Sequence, residues 1–232
     1  MTKFLFFDTG PIITLVMARL NDLLPKLKEK YGGKFYITPA VEKELITRPM
    51  SIRRFEFEAL QAQKFIRDGV LEVYNKVPQS NVKELIELAN SSFRIKNKTI
   101  DVIQSGEIES VACALDTNAD AIVMDERTLR LFIENNKEMK KLLESRFNQP
   151  IDIDAKKMDE FSRRLSGVKI IRSIELVSVA YKMGLLNSYI PPQKNGKEIL
   201  VGSVLWATKY NGAAVTEQEV GEIKEYLLAN KA

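Results

Sequence analysis

Residues 4–11 read Phe4-Leu5-Phe6-Phe7-Asp8-Thr9-Gly10-Pro11. Four apolar residues in a row, with no polar alternation, suit a strand buried on both faces, as in a parallel sheet. Gly10 and Pro11 end that strand and open a helix, because proline fits the first helical turn. Asp8 therefore stands at the carboxyl end of a buried strand, where open α/β sheets place their ligands. A second apolar run, Ala121-Ile122-Val123-Met124, stops the same way on Asp125-Glu126. In a parallel sheet both ends lie on one edge.

Outward from these two strands, helical and extended segments alternate. Further strands are expected at 35–37, 70–74 and 168–171. Helices are expected at about 11–30, from Thr38-Pro39 through Leu45, at 51–67, 81–93, from Gly106, at 127–146, and near 174–186, 198–210 and 217–229. Asn148–Asp154 reads as a polar loop. Strands alternating with helices predict a parallel sheet wound by right-handed crossovers. No repeat or low-complexity linker divides the chain, so a single domain over 1–232 is expected.

Composition narrows the chemistry. With 232 residues, 45% hydrophobic and 28% charged, the chain can bury a sizeable core. No apolar stretch is long enough to span a membrane. Met1-Thr2-Lys3 runs straight into the first strand, so no signal peptide is expected. The one cysteine, Cys113, excludes an internal disulfide, reads as a small buried helix residue, and fits a cytoplasmic location. Net charge is +4 (35 basic against 31 acidic residues), which permits a nucleic-acid partner without demanding one. The chain has no histidine. That removes Ser-His-Asp and Cys-His catalysis and His–metal sites, and with one cysteine a structural zinc site is also excluded. Chemistry must rest on carboxylates, Lys, Tyr, Ser/Thr, or a metal held by oxygen.

Two more acids lie on helices that start near strand ends or turns, Glu44 and Glu107. Each acid has an ordinary role to hand. Asp8 can turn the chain; Asp125 can cap a helix with Glu126 in its first turn; Glu107 suits a helix start; Glu44 can pair with Lys43 or Arg48. As a set they mean more. Clustered carboxylates repel and hold some members protonated, and a hard divalent cation removes that conflict. Mg²⁺ and Mn²⁺ take oxygen ligands and need no histidine.

In this order the acids resemble the motifs of the PIN-domain nucleases, the fold of VapC-type toxins and several RNA-processing nucleases. Phe7-Asp8-Thr9-Gly10-Pro11-Ile12-Ile13 is similar to the strand-one motif. Thr38-Pro39-Ala40-Val41-Glu42-Lys43-Glu44-Leu45 places Glu44 on the second acid. Gly106-Glu107-Ile108-Glu109-Ser110 places Glu107 on the third, where toxins carry Asp. Val123-Met124-Asp125-Glu126-Arg127 places Asp125 or Glu126 on the fourth, with Met124 where Ser or Thr is frequent. The resemblance implies a three-layer α/β/α domain with a central parallel sheet. An inserted helical segment spans about 47–105, and a C-terminal helical extension spans about 187–232. It implies a toxin-like or RNA-processing ribonuclease with Mg²⁺ or Mn²⁺ held by Asp8, Glu107 and Asp125 or Glu126, with Glu44 near that shell. RNA is the implied substrate, with an antitoxin or other protein partner and a homodimer as further expectations.

Basic residues within 48–67 and 94–98, with Arg127, Arg130, Lys140 and Lys141, are candidate phosphate contacts, and ordinary solvated faces otherwise. Phe93 beside Arg94 offers either base stacking or core packing. The alternative reading is a non-catalytic PIN-like module that binds RNA or a protein. A haloacid-dehalogenase-type phosphatase also opens on a strand ending in Asp, but its Asp-x-Asp is absent because residue 10 is glycine. No P-loop or Gly-x-Gly-x-x-Gly occurs.

Overall fold

A computed structural model describes residues 3–103, 105–134 and 136–229. The chain runs β1 (Phe4–Phe7), α1 (Thr9–Met17), α2 (Leu23–Tyr31), β2 (Lys34–Ile37), α3 (Pro39–Glu42), α4 (Glu56–Arg67) and β3 (Glu72–Val73). It continues through α5 (Gln79–Ser91), β4 (Phe93–Ile95), β5 (Lys98–Thr99), α6 (Ser105–Thr117) and β6 (Ala121–Val123). Then come α7 (Arg127–Glu134), α8 (Asn136–Phe147), β7 (Asp152–Ile153), α9 (Ala155–Leu165), β8 (Ile170–Ile171), α10 (Ser173–Lys182), α11 (Gly196–Tyr210) and α12 (Glu217–Ala229).

Five strands form one parallel sheet in the order β3-β2-β1-β6-β8. β1 is central, with Leu5 opposite Phe35 on β2 and Ala121 on β6. Its alternate residues fill two cores, which is why the run carries no polar residue. Leu5 and Phe7 join Phe35, Ile37 and Val123 beneath α1, α2, α4 and α10. Phe6 joins Ile122 and Met124 on the other face, beneath α5, α6, α8 and α9. The result is the α/β/α arrangement expected from sequence. Phe6 is fully buried, with Tyr36 and Tyr74 rings 5.5 and 5.4 Å away. Burying such a ring contributes roughly 2–3 kcal/mol.

From β1 the chain winds outward to β2 and β3, then crosses back to place β6 and β8 on the opposite side of β1. The winding reverses between β1 and β6, and that reversal opens a crevice at their carboxyl ends. Asp8 and Asp125 follow those two strands immediately.

Several elements differ from the sequence reading. The helix expected over 11–30 is two helices, because Pro25 tolerates only the first turn of a helix. Arg19, in left-handed backbone at φ 60°, turns the chain between them. Residues 93–99, which begin where the helix expected over 81–93 ends, form a hairpin whose two turn residues, Lys96 and Asn97, have φ 48° and 64°. That matches the type I′ turn that suits hairpin twist. β7, within the expected polar loop 148–154, pairs antiparallel with β4. β3 forms within the strand expected at 70–74 and is two residues long; it places part of the segment read as an inserted helical segment at the edge of the central sheet.

The C-terminal helices α11 and α12 pack on α10. They build a third core from Ile174, Val201, Leu205, Ala213, Val220 and Leu227. Among the described residues, no helix is long and apolar enough to cross a membrane.

Candidate functional site

Asp8 follows the last residue of β1, and its N–H donates to the Val123 carbonyl of β6 at 2.9 Å. This bond across the switch point fixes the carboxylate at the sheet's edge. Asp8 is 8% exposed. Burial pushes its carboxyl up to about 6 from the ordinary 3.8; the N–H groups of Thr9 and Gly10 oppose the shift, and the charges of Glu44 and Asp125 add to it.

Asp125 closes β6 and is 6% exposed. Its Oδ1 accepts the Ser173 N–H at 2.8 Å and the Ser173 hydroxyl at 3.0 Å. Its Oδ2 accepts the Thr14 hydroxyl at 3.3 Å. Burial raises this carboxyl too, against those hydrogen bonds and the field of Arg172. Gly10 lies between the two acids. A Cβ there would sit 3.5 Å from Asp125 Cβ, 3.8 Å from Asp8 Oδ2 and 4.0 Å from Asp125 Oδ2. The bare backbone of Gly10 therefore faces both carboxylates. Thr14, four residues on, lies on the same face of α1.

Glu44 reaches the site from another element. After α3 the helix widens to a π turn over Lys43–Thr47, a local distortion frequent at functional sites. Glu44 Oε2 accepts the Thr9 hydroxyl at 2.9 Å. Thr9 thus ties Glu44 to the residue next to Asp8. Glu44 Oε1 turns toward the start of α6, 3.3 Å from where a Cβ of Gly106 would sit.

Glu107 is half-buried in the first turn of α6, one residue beyond that contact. Glu109, which the sequence did not single out, also belongs to this corner. Its carboxylate accepts the Ala40 N–H at 3.4 Å. Burial raises its carboxyl against bonds from Ala40 and Thr38, and the Glu44 charge adds to the rise. Glu109 lies three residues from Gly106 and so nearly shares its face of α6. That periodicity was the available signal.

Glu126 does something different. Its Oε2 accepts the Leu129 N–H at 2.6 Å and caps the start of α7. Met124 is fully buried, in the core that Phe6 and Ile122 share. Phe93 is also fully buried, with its ring edge-on to Phe132 at 5.1 Å, so it packs the core and offers no stacking surface. Thr14 and Ser173 escaped the sequence reading, because their partner Asp125 lies 111 and 48 residues away.

The donor set suits a hard divalent cation. It is all oxygen and anionic, and two of its carboxylates sit out of water with their charge disfavoured. Among the described residues, no three acidic, His or Cys side chains are gathered as a group that could hold a metal ion. Two carboxylates suffice for Mg²⁺, which keeps several waters and completes its shell with substrate phosphates.

A family model described as a PIN domain matches residues 4–137, which includes β1, β6 and the acids Asp8, Glu44, Glu107, Glu109, Asp125 and Glu126. No curated protein and no solved structure matches the chain.

Proposed function

The chain belongs to the PIN-domain family, and from that premise we propose that it is a divalent-metal-dependent ribonuclease. The observation that carries this reading is the pair Asp8 and Asp125, buried together at the carboxyl edge of the sheet about the bare backbone of Gly10.

In this reading Asp8 and Asp125 hold Mg²⁺ or Mn²⁺, with Glu107 contributing at the start of α6. Asp125 rather than Glu126 is the direct ligand, since Glu126 is engaged at the cap of α7. A bound ion of this kind lowers the pKa of its water and offsets charge on a phosphoryl oxygen. The chain's own groups do the rest. Ser173 and Thr14 fix the rotamer of Asp125. Thr9 holds Glu44 Oε2 and leaves Oε1 to accept a proton from the attacking water. Arg48, just past the π turn, and Arg127, two residues past Asp125, are exposed, and in this reading they contact RNA phosphates. The proposed setting is the cytoplasm.

The test is cleavage of labelled RNA with Mn²⁺ by the wild type and by Asp8→Asn. The variant should lose activity by about 100-fold or more. Equal cleavage by both proteins would overturn the site.

A second reading, a PIN-like module that binds a protein such as an antitoxin, draws on one observation. An apolar cleft of about 590 Å³ lies between α1 and α4, and Met17, Ile52 and Phe55 are exposed along it. Calorimetry separates the readings: tight Mn²⁺ binding that Asp8→Asn abolishes counts against a non-catalytic module.

A further inference from the structure

The family match ends at residue 137, yet the bonds that hold Asp125 come from both sides of that limit. On one side, the Thr14 hydroxyl carries one proton and meets two acceptors, Asp125 Oδ2 and the Asn211 carbonyl, each at 3.3 Å. Asn211 ends α11. Gly212 follows at φ 136°, and a Cβ there would lie 2.8 Å from Thr14 Oγ1. Only glycine suits both that backbone and that approach. On the other side, Ser173 gives Asp125 its N–H and its hydroxyl. Its neighbour Arg172 is clamped by Glu175, at 2.7 Å, and by Glu219 of α12, at 2.8 Å. Thr14 and Ser173 are both fully buried, so neither contact is replaced by water.

We infer that the α11–α12 pair is a positioning element for Asp125: through Gly212 against Thr14, and through Glu219 on Arg172 and Ser173, it sets the orientation of that carboxylate for the cation. This rests on the metal-binding reading of the site. Outer partners of a ligating carboxylate typically change metal affinity by 10–100-fold when removed. Gly212 and Glu219 lie one step further out, and they act on both oxygens of Asp125 through the residues that hold them.

The experiment uses the full chain with two variants, Gly212→Ala and Glu219→Gln. Two quantities are measured: Mn²⁺ affinity by calorimetry, and hydrogen exchange of the Ser173 amide without metal. Circular dichroism checks the fold. Each variant should bind Mn²⁺ roughly 10-fold more weakly. The Ser173 amide should exchange about 10-fold faster in Glu219→Gln than in the wild type. Thr14→Ser should keep wild-type affinity while Thr14→Val loses it, a contrast that a packing role alone would not produce. Wild-type affinity and wild-type Ser173 protection in both variants would overturn the inference and leave the metal site standing. Should the wild type itself bind no Mn²⁺, the metal reading fails, and Ser173 protection still decides whether α11–α12 positions Asp125. Should Gly212→Ala not fold, Glu219→Gln decides alone.

Discussion

Burial raises the Asp8 carboxyl, the N–H dipoles of Thr9 and Gly10 oppose it, and the charges of Glu44 and Asp125 add to the rise. The Asp8 carboxyl titrates near 6 in the fold and near 3.8 in the unfolded chain. Between those values the folded state keeps a proton that the unfolded state has released, so stability falls as pH rises through that window. The gap amounts to roughly 3 kcal/mol once both states are ionised. Asn at position 8 carries no charge to desolvate and can still accept from Thr9 and Gly10. Asp8→Asn should therefore stabilise the metal-free protein at neutral pH by roughly 1–3 kcal/mol while abolishing activity, the trade-off expected of a functional carboxylate. Urea unfolding from about pH 4 to pH 7 checks it: the wild-type curve should decline more steeply than the variant's, in which the raised carboxyls of Asp125 and Glu109 still titrate. Parallel curves would remove Asp8 from the site's electrostatics. Asp8 and Asp125 could be read from sequence because each ends an apolar run, and a strand's end fixes where the next side chain stands. Glu109 could not be separated from Glu107 that way, since a helical pattern does not say which flank of the buried face meets Glu44. Glu126 showed only its acidity; whether it caps or ligates depends on the backbone of α7.

At the scale of elements, α12 is joined to α10 by the Glu219–Arg172 pair. Burial pushes Glu219 upward, but the Thr216 N–H and Arg172 hold it at about 2, against an ordinary 4.5. The sign is opposite to that of Asp8. The contribution of Glu219's bonds, to Thr216 and to Arg172, is complete above about pH 4.5 and is lost as pH falls toward 2. The stability gap between wild type and Glu219→Gln should thus close between about pH 5 and pH 2. Asp8 titrates in both proteins and cancels in the difference. A gap that stayed constant on acidification would mean that the pair contributes nothing to docking α12. Helices near 198–210 and 217–229 were expected from sequence but not their docking, because Glu219 and Arg172 are 47 residues apart. The β4–β5 hairpin was hidden for a local reason: its turn is Lys96-Asn97 rather than a glycine-containing pair, so the usual hairpin signal is missing. The break between α1 and α2 was missed by the expectation of one helix over 11–30, although Pro25 signals it, since proline is tolerated only in a helix's first turn.

Across the whole molecule, three cores share walls. The sheet separates the first two, and Tyr181 packs against both the first and the third. Ile174, in the third core, stands next to Ser173, which holds Asp125. Polar ties cross the same boundary at Thr14–Asn211 and Arg172–Glu219. A C-terminal pair joined only by exposed contacts would melt on its own; this one is tied through buried groups that the site also uses. Leu205 is fully buried in the third core. Truncating it to alanine should cost about 2–5 kcal/mol. Because the cores are coupled, that loss should lower a single transition for the whole chain. The measurement is urea unfolding of Leu205→Ala followed by circular dichroism and by hydrogen exchange at β1. Both probes should shift to lower denaturant together, with exchange at Phe6 accelerated as much as exchange in α11. An early loss of helix signal with β1 protection unchanged would show that α11–α12 is an independent unit, and the positioning of Asp125 from that pair would lose its mechanical basis.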